Sequence, residues 1–351
     1  MIRILLLADT HLGLDFPLNP RVDRRRRGDD FFSNFDRALQ PAMDRDVDLV
    51  VHGGDLFYRS KVPIVIVQKA LEPLVAVAER DVPVFLVPGN HERSKIPLHL
   101  WTSHPRIHIF HRPETFYLNL NETSLSVSGF PFIRSARDDF ALVLDQTRYK
   151  EKSADVRILC MHQIVEGAQV GSSNYTFRSG PEVIRGEDVP GDFAAILSGH
   201  VHRSQTLRKD LAGQQLKSPV IYPGSVERTS FAECNEVKHY VRLQVTRSEQ
   251  EGGKIVDLLY EPLPSRPMIT LEVTIADADR QTLEEELRSR LADVDPDAVV
   301  RVHVHGDIPL ALHRVFNAEN LRTLAPESVN VSISYDTRVK LRGQIPDEDS
   351  D

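Results

Sequence analysis

Five short apolar runs in the first 205 residues each break off directly into a cluster of polar side chains. This arrangement constrains the fold more than any other feature of the chain. Ile2–Ala8 ends in Asp9-Thr10-His11, Leu49–His52 in Gly53-Gly54-Asp55, and Val84–Val87 in Gly89-Asn90-His91-Glu92. Arg157–Cys160 ends in Met161-His162-Gln163, and Ala194–Leu197 in Ser198-Gly199-His200-Val201-His202. Short apolar runs bounded by turn residues read as buried strands. Between them, Phe31–Asp44 and Ile64–Glu79 carry apolar residues at helical spacing, so the region reads as an α/β layer structure. In open α/β sheets, ligands gather outside the carboxyl ends of the strands, so five polar clusters at five strand ends can converge on one site.

The rest of the chain divides by pattern. Residues 106–133 alternate as strands of a second sheet, in Phe116–Leu120 and Leu125–Ser128. Residues 163–192 read as a long loop, a length that favours a substrate-facing role. Tyr240–Val245 and Ile255–Tyr260 read as a hairpin closing this part. Three prolines within Pro262–Pro267 then resist both helix and sheet, which makes 261–267 the linker. Beyond it comes a β-α-β-α-β reading: alternation at Ile269, Leu271, Val273 and Ile275, a helix at Arg280–Leu291, alternation at Val300–Val304, a helix at Phe316–Leu324, and alternation at Val329–Ile333. The expected domains are 1–265, 266–340 and an acidic, disordered tail at 341–351.

Charge follows the same division. The net charge is −8, and residues 266–351 hold 10 Lys and Arg against 17 Asp and Glu, leaving 33 against 34 for residues 1–265. The larger part is therefore free to meet an anion. With 41% hydrophobic and 27% charged residues the chain has globular composition. No apolar run approaches the roughly 20 residues that span a bilayer, and the expected location is the cytoplasm. Cys160 and Cys234 lie far apart without a CxxC, so neither a disulfide framework nor a thiolate zinc site is expected.

The strand-end residues Asp9, His11, Asp55, Asn90, His91, His162, His200 and His202 form a set of carboxylates, imidazoles and a carboxamide that suits Mn²⁺, Fe²⁺ or Zn²⁺. One ion needs three or four protein ligands. Seven candidates with one carboxylate free to bridge match two cations about 3.5–4 Å apart. The matching chemistry is phosphoester hydrolysis by a metal-activated hydroxide, without a covalent enzyme intermediate.

Taken in order, Asp9-x-His11, Gly54-Asp55, Gly89-Asn90-His91-Glu92, His162 and Gly199-His200-x-His202 resemble the motifs of the calcineurin-like metallophosphoesterases. The resemblance implies a two-sheet α/β sandwich flanked by helices. It implies that Asp9, His11, Asp55 and His202 hold one metal, that Asn90, His162 and His200 hold the other with Asp55 bridging, and that His91 acts as general acid or transition-state stabiliser. Asp9-Thr10-His11-Leu12-Gly13, Gly54-Asp55-Leu56-Phe57 and Tyr222–Phe231 are similar to the SbcD-type DNA repair nucleases. The Tyr222–Phe231 segment supplies no obvious ligand and reads as architecture beside the site. That narrower resemblance implies a small C-terminal α+β capping domain, Mn²⁺-dependent exonuclease activity with some single-strand endonuclease activity, and a role in repair or recombination. It also implies a homodimer, formed through helices near Ile64–Glu79, and a coiled-coil SbcC-type ATPase partner. Only Arg338–Asp351 follows the last strand, so the segment that docks such a partner is expected to be missing.

Glu92 stands where the nuclease family usually has Asp; it is expected to accept a hydrogen bond from His91 and orient it. Arg59, Lys61, Arg93 and Arg203 leave strand ends that already carry ligands, and are the candidates for contacts to DNA phosphates. Arg24–Arg27 is either a solvated face or a further phosphate contact. Tyr175 and Phe177 are either loop packing or a stacking platform for an unpaired base. His303-Val304-His305 repeats the His-x-His spacing inside an expected strand, without a turn glycine before it, and reads as partly exposed strand histidines. The alternative to the nuclease is a stand-alone phosphatase, or a small-molecule or cyclic-nucleotide phosphodiesterase, with the same metal site.

Overall fold

The computed structural model describes residues 1–15, 26–92, 104–249, 251–275, 279–306 and 308–336. They form two compact units. Met1–Leu14 and Asp30–Ser265 make the first; Asp15–Asp29 and the chain from Arg266 make the second. In the described part of 15–29, Asp15 accepts from the Gly28 N–H at 3.1 Å and pairs with Arg26.

In chain order the first unit contains β1 (Ile2–Leu7), α1 (Arg27–Met43), β2 (Leu49–His52), α2 (Ile64–Ala78), β3 (Val84–Leu86), β4 (Ile107–Ile109), β5 (Glu114–Leu120), β6 (Thr123–Gly129), α3 (Ala136–Gln146) and β7 (Val156–Met161). It continues with β8 (Ile164–Val165), β9 (Gln169–Val170), β10 (Tyr175–Thr176), β11 (Val183–Ile184), β12 (Ala195–Ser198), β13 (Gln205–Lys209), β14 (Gln215–Tyr222), β15 (Lys238–Thr246) and β16 (Lys254–Leu263). All five strands read from the apolar runs are present, each within one residue of its expected bounds.

Two six-stranded sheets result, ordered β16-β15-β1-β2-β3-β4 and β13-β14-β12-β7-β6-β5. Their central strands run parallel, which is why β1, β2, β7 and β12 are apolar along most of their length: both faces are covered. Alternate residues of β1 face opposite ways. Ile2, Ile4 and Leu6 pack between the sheets with Val127, Ile158, Leu197 and Ile221. Leu5 and Leu7 face outward against Phe31, Phe35, Val67 and Leu74 of α1 and α2. On the far side, Leu159, Met161 and Ile196 meet Phe140 and Leu144 of α3.

Three local readings change. Ile107–Ile109, expected in the second sheet, pairs parallel with β3 in the first. Glu261 and Pro262, expected in the linker, lie inside β16, with Pro262 opposite His239; β16 is an edge strand, where a missing N–H is tolerated. The loop 163–192 contains four two-residue strands paired as β8 with β11 and β9 with β10. Their brevity leaves no periodicity to read.

The second unit contains β17 (Met268–Thr274), α4 (Arg280–Ala292), β18 (Val299–His305), α5 (Ala318–Leu324) and β19 (Asn330–Tyr335), with the three strands parallel in the order β17-β18-β19. Val300, Val302 and Val304 face the core built with Leu283, Leu287, Leu291 and Leu321, so both helices cover the same face of the sheet. Each helix starts with a side-chain cap, Asp279 on the Thr282 N–H and Asn317 on the Asn320 N–H. The tail 341–351 lies outside the described residues.

Candidate metal centre

The parallel strands deliver their polar clusters to one end of the sandwich. At this end the two sheets come into backbone contact: a Cβ on Gly199 would lie 2.4 Å from the Gly53 carbonyl oxygen. A Cβ on Gly54 would lie 2.2 Å from the His162 ring, and Gly54 itself sits at φ +109°. These positions have room only for hydrogen. Asp9, His11, Asp55 and His200 also occupy left-handed backbone, at φ 51°, 43°, 52° and 80°. Such strain gathers where a fold must aim side chains.

All seven expected ligands converge, in two groups. In one, the Asp55 Oδ2, Asn90 Oδ1 and His200 Nδ1 atoms lie 3.3, 3.1 and 3.2 Å from His162 Nε2, and His200 Nδ1 stands 2.8 Å from Asn90 Oδ1. His162 Nδ1 faces the Gly53 carbonyl at 2.8 Å and donates to it, so Nε2 points at the cluster. In the other group, His11 Nε2 and His202 Nε2 stand 3.0 Å apart, with Asp9 Oδ1 3.9 Å from His202 Nε2. His202 Nδ1 donates to Glu233 Oε1 at 3.0 Å, so its Nε2 points at this group. His11 joins both Asp9 with His202 and Asp55 with His91 in sets whose donor atoms lie within 4.8 Å of one another.

The electrostatics are those of a cation site. Asp9, His11, Asp55 and His162 are buried. Burial, then the nearby His202, holds His11 well below the usual histidine range, and burial, then His162, lowers His200 to about 3. Burial opposes a charge on His162 too, yet the Asp55 carboxylate outweighs it and raises that imidazole to about 9. Carboxylate oxygens and imidazole nitrogens crowded this closely form a donor set that suits divalent cations with nitrogen and oxygen ligands.

His91, expected outside the ligand set, lies beside His11 and Asp55. Its N–H donates to Asp55 Oδ1 at 2.9 Å, its Nδ1 donates to the Tyr58 carbonyl, and its Nε2 lies 3.8 Å from Asp55 Oδ2 with a third of the side chain exposed. Glu92 does not orient it. The buried Glu92 carboxylate instead accepts from the Phe57 N–H at 2.7 Å and the Gly89 N–H at 2.8 Å, tying the second and third strand-end turns together.

The cation candidates fare unevenly. Arg59 and Lys61 are exposed beyond Asp55. Arg203 is committed: it bonds Glu236 at 3.2 Å, Asn174 Oδ1 at 2.6 Å and the Gly171 carbonyl at 2.8 Å. It therefore anchors the loop that bears the exposed Tyr175, whose ring meets Phe177 edge-on at 5.2 Å. Arg93, Arg24 and Arg25 lie outside the described residues, whereas Arg26 pairs with Asp15 and Arg27 is buried.

Residues the sequence did not single out complete the site. Glu233, in a single helical turn after the Tyr222–Phe231 segment, is held by the fully buried Lys238 ammonium at 2.6 Å, which also meets Glu236 at 3.0 Å and the His202 carbonyl at 3.1 Å. Burial opposes its charge, but His202 and Lys238 hold the Glu233 carboxyl far below the usual range. Tyr58 is exposed, with its ring 5.9 Å from that of His91 and 6.3 Å from that of His11. The Tyr222 hydroxyl accepts from the Val165 N–H and donates to the Gln163 carbonyl, a structural role.

The profile of the calcineurin-like phosphoesterases matches residues 2–204, a stretch that holds all the converging ligands. The chain belongs to this family. Among its relatives is an Archaeoglobus fulgidus protein described as DNA double-strand break repair protein Mre11, 23% identical over 311 residues, covering 84% of this chain and 66% of that one. A protein of the same description from Haloferax volcanii is 27% identical over 315 residues, covering 88% of this chain and 62% of that one. A third, from Methanosarcina acetivorans, is 27% identical over 310 residues, covering 87% of this chain and 46% of that one. The chain thus spans about half to two thirds of the length of these relatives. A dimetal phosphatase from Danio rerio matches at 13% identity and TM-score 0.42, covering 75% of this chain and 99% of that structure; at that score the likeness carries no argument.

Proposed function

We propose that this phosphoesterase is a DNA nuclease that hydrolyses phosphodiester bonds with two divalent cations, Mn²⁺ foremost, in double-strand break repair. One observation carries the reading: seven donor residues from five strand ends converge, with His162, His202 and His200 nitrogens within 3.3 Å of neighbouring donors. The description shared by the relatives supports DNA as the substrate.

In this reading Asp9, His11, Asp55 and His202 hold one cation, and Asn90, His162, His200 and Asp55 hold the other. The pair supplies Lewis-acid polarisation of the phosphate and an activated water. Burial of Asp9, His11, Asp55 and His162 excludes bulk water from the ligands. Asp55 is held in register by the His91 N–H. His91, with Nδ1 fixed on the Tyr58 carbonyl and Nε2 turned toward Asp55, is the group positioned to move a proton at the departing oxygen. Exposed Arg59 and Lys61 hold the DNA backbone without reading its sequence. The second unit acts as the capping domain. A homodimer forms through α2, where Ile64 and Val65 are 53% and 65% exposed. A coiled-coil ATPase would be the further partner, met without the docking segment that the sequence leaves out.

The test is degradation of end-labelled linear duplex DNA with Mn²⁺, alongside bis-p-nitrophenyl phosphate and a nucleotide monoester, with Asp55→Ala as control. Mn²⁺-dependent shortening that the variant lacks is the expected result. Intact DNA with a hydrolysed small ester would replace this reading with the phosphatase or small-diester one.

A further inference from the structure

The three parallel strands of the second unit bring a second set of metal-binding side chains to their carboxyl ends, on the sheet face opposite α4 and α5. His303 and His305 alternate with the core-facing Val302 and Val304, so both project from that outer face. Glu272 of β17 pairs in register with His303, and Ser334 of β19 pairs with it from the other side. Asp336 follows β19 and is fixed by its own N–H on the Val304 carbonyl at 3.3 Å. The spacing of the histidines alone suggested nothing more than exposed strand residues. The acidic partners come from 31 residues before and after them and become visible only through the strand register.

We propose that Glu272, His303, His305 and Asp336 form a zinc site that staples β17, β18 and the end of β19 together. Donor atoms of Glu272, His303 and His305 all lie within 4.8 Å of one another. His305 Nε2 stands 2.8 Å from Glu272 Oε2 and His305 Nδ1 2.9 Å from Asp336 Oδ2, while His303 Nε2 stands 3.2 Å from Asp336 Oδ1. Zinc bonds of about 2.0–2.2 Å put tetrahedral donors about 3.3 Å apart, so the 3.2 and 2.9 Å spacings of the Asp336 carboxylate to His303 Nε2 and His305 Nδ1 need to adjust by only a few tenths of an ångström. The two ring nitrogens of His305 point apart, so one takes the ion while the other donates its N–H to the carboxylate on its own side. Two imidazoles with two carboxylates suit Zn²⁺ and offer no thiolate to softer ions. His303 and His305 are 22% and 37% exposed, which gives the ion a path in. The site shares no residue with the strand-end cluster of the first unit.

The experiment uses the full chain, stripped with chelator, titrated with Zn²⁺ and analysed for bound zinc by mass spectrometry after desalting. Wild type is expected to retain one more zinc per chain than the His303→Ala/His305→Ala double variant, while Mn²⁺-dependent hydrolysis of bis-p-nitrophenyl phosphate stays within twofold. Glu272→Gln alters a single exposed carboxylate and cannot unfold the sheet; it is expected to weaken that one zinc at least tenfold. Equal zinc content and affinity in wild type and in Glu272→Gln would overturn the proposal and leave a cluster of surface ion pairs.

Discussion

Glu233→Gln separates the support of the metal centre from its ligands. Glu233 touches no cation in the proposed centre, yet its carboxylate meets His202 Nδ1 at 3.0 Å, beside the Thr229 hydroxyl at 3.2 Å, and Thr229 Oγ1 and Lys238 Nζ reach the same carboxylate at 2.5 and 2.6 Å. Glutamine keeps the shape and removes the charge. Its amide can accept from His202 only by turning its NH₂ toward the Lys238 ammonium, or the reverse. Carboxylates that orient a ligating histidine are worth roughly 10–100-fold in metal affinity, or about 1.4–2.7 kcal/mol. The fold also weakens. Removing one partner of a buried ion pair costs about 3–5 kcal/mol, and here the figure falls to about 2–3 kcal/mol, because Lys238 keeps Glu236 at 3.0 Å and the His202 carbonyl at 3.1 Å. Calorimetric Mn²⁺ titration is expected to show affinity down 10–100-fold, with turnover at saturating Mn²⁺ within about threefold of wild type. Glu236→Gln, which loses a Lys238 contact but none to His202, should leave Mn²⁺ affinity unchanged. Lowered stability with unaltered Mn²⁺ affinity in Glu233→Gln would refute the reasoning and reduce Glu233 to a packing partner of Lys238.

Three further outcomes are expected. His91→Ala should keep both metals and lose roughly 10²–10⁴-fold in DNA cleavage; a fall in metal content measured on the same sample would make His91 a ligand after all. Gly54→Ala forces an L-residue to φ +109° with its Cβ 2.2 Å from the His162 ring, and should cost about 2–5 kcal/mol by denaturant titration together with loss of bound metal. Burial raises the Cys160 thiol beyond its usual range, whereas Cys234 is partly exposed, so a thiol reagent should label one cysteine rapidly in the folded chain and two after unfolding.

The strand ends were legible because two signals coincide there: an apolar run sets the strand, and the first polar residue after it marks where the chain leaves the sheet. Asp9, Asp55, Asn90, His162 and His200 could therefore be found without knowing which strands pair. What depends on pairing could not. Ile107–Ile109 reads the same in either sheet, and only its register with Val84–Leu86 assigns it. Glu233 lies 31 residues beyond His202 in a turn with no period, and Lys238 opens a strand whose inward register alone explains its burial. Arg203 shows the opposite failure: its position beside His202 was evident, but the loop carbonyl and Asn174 side chain that absorb its charge were not. Glu92 was assigned to the nearest polar side chain, and the structure gives it to two backbone amides instead.

The left-handed backbone at Asp9, His11, Asp55 and His200 bears on which sequences this site can explore. Aspartate, asparagine and histidine are the non-glycine side chains that best tolerate that conformation. At these four positions the atoms that bind and the torsion that aims them are therefore specified by the same residue. A longer carboxylate such as Glu would keep the charge and meet the backbone badly; Asn would keep the backbone and surrender the charge. Random mutation that starts from this sequence should find neutral neighbours at the buried apolar positions around the site far sooner than at the ligands themselves, and a designer who transplants the site onto another scaffold must carry over the turns as well as the side chains.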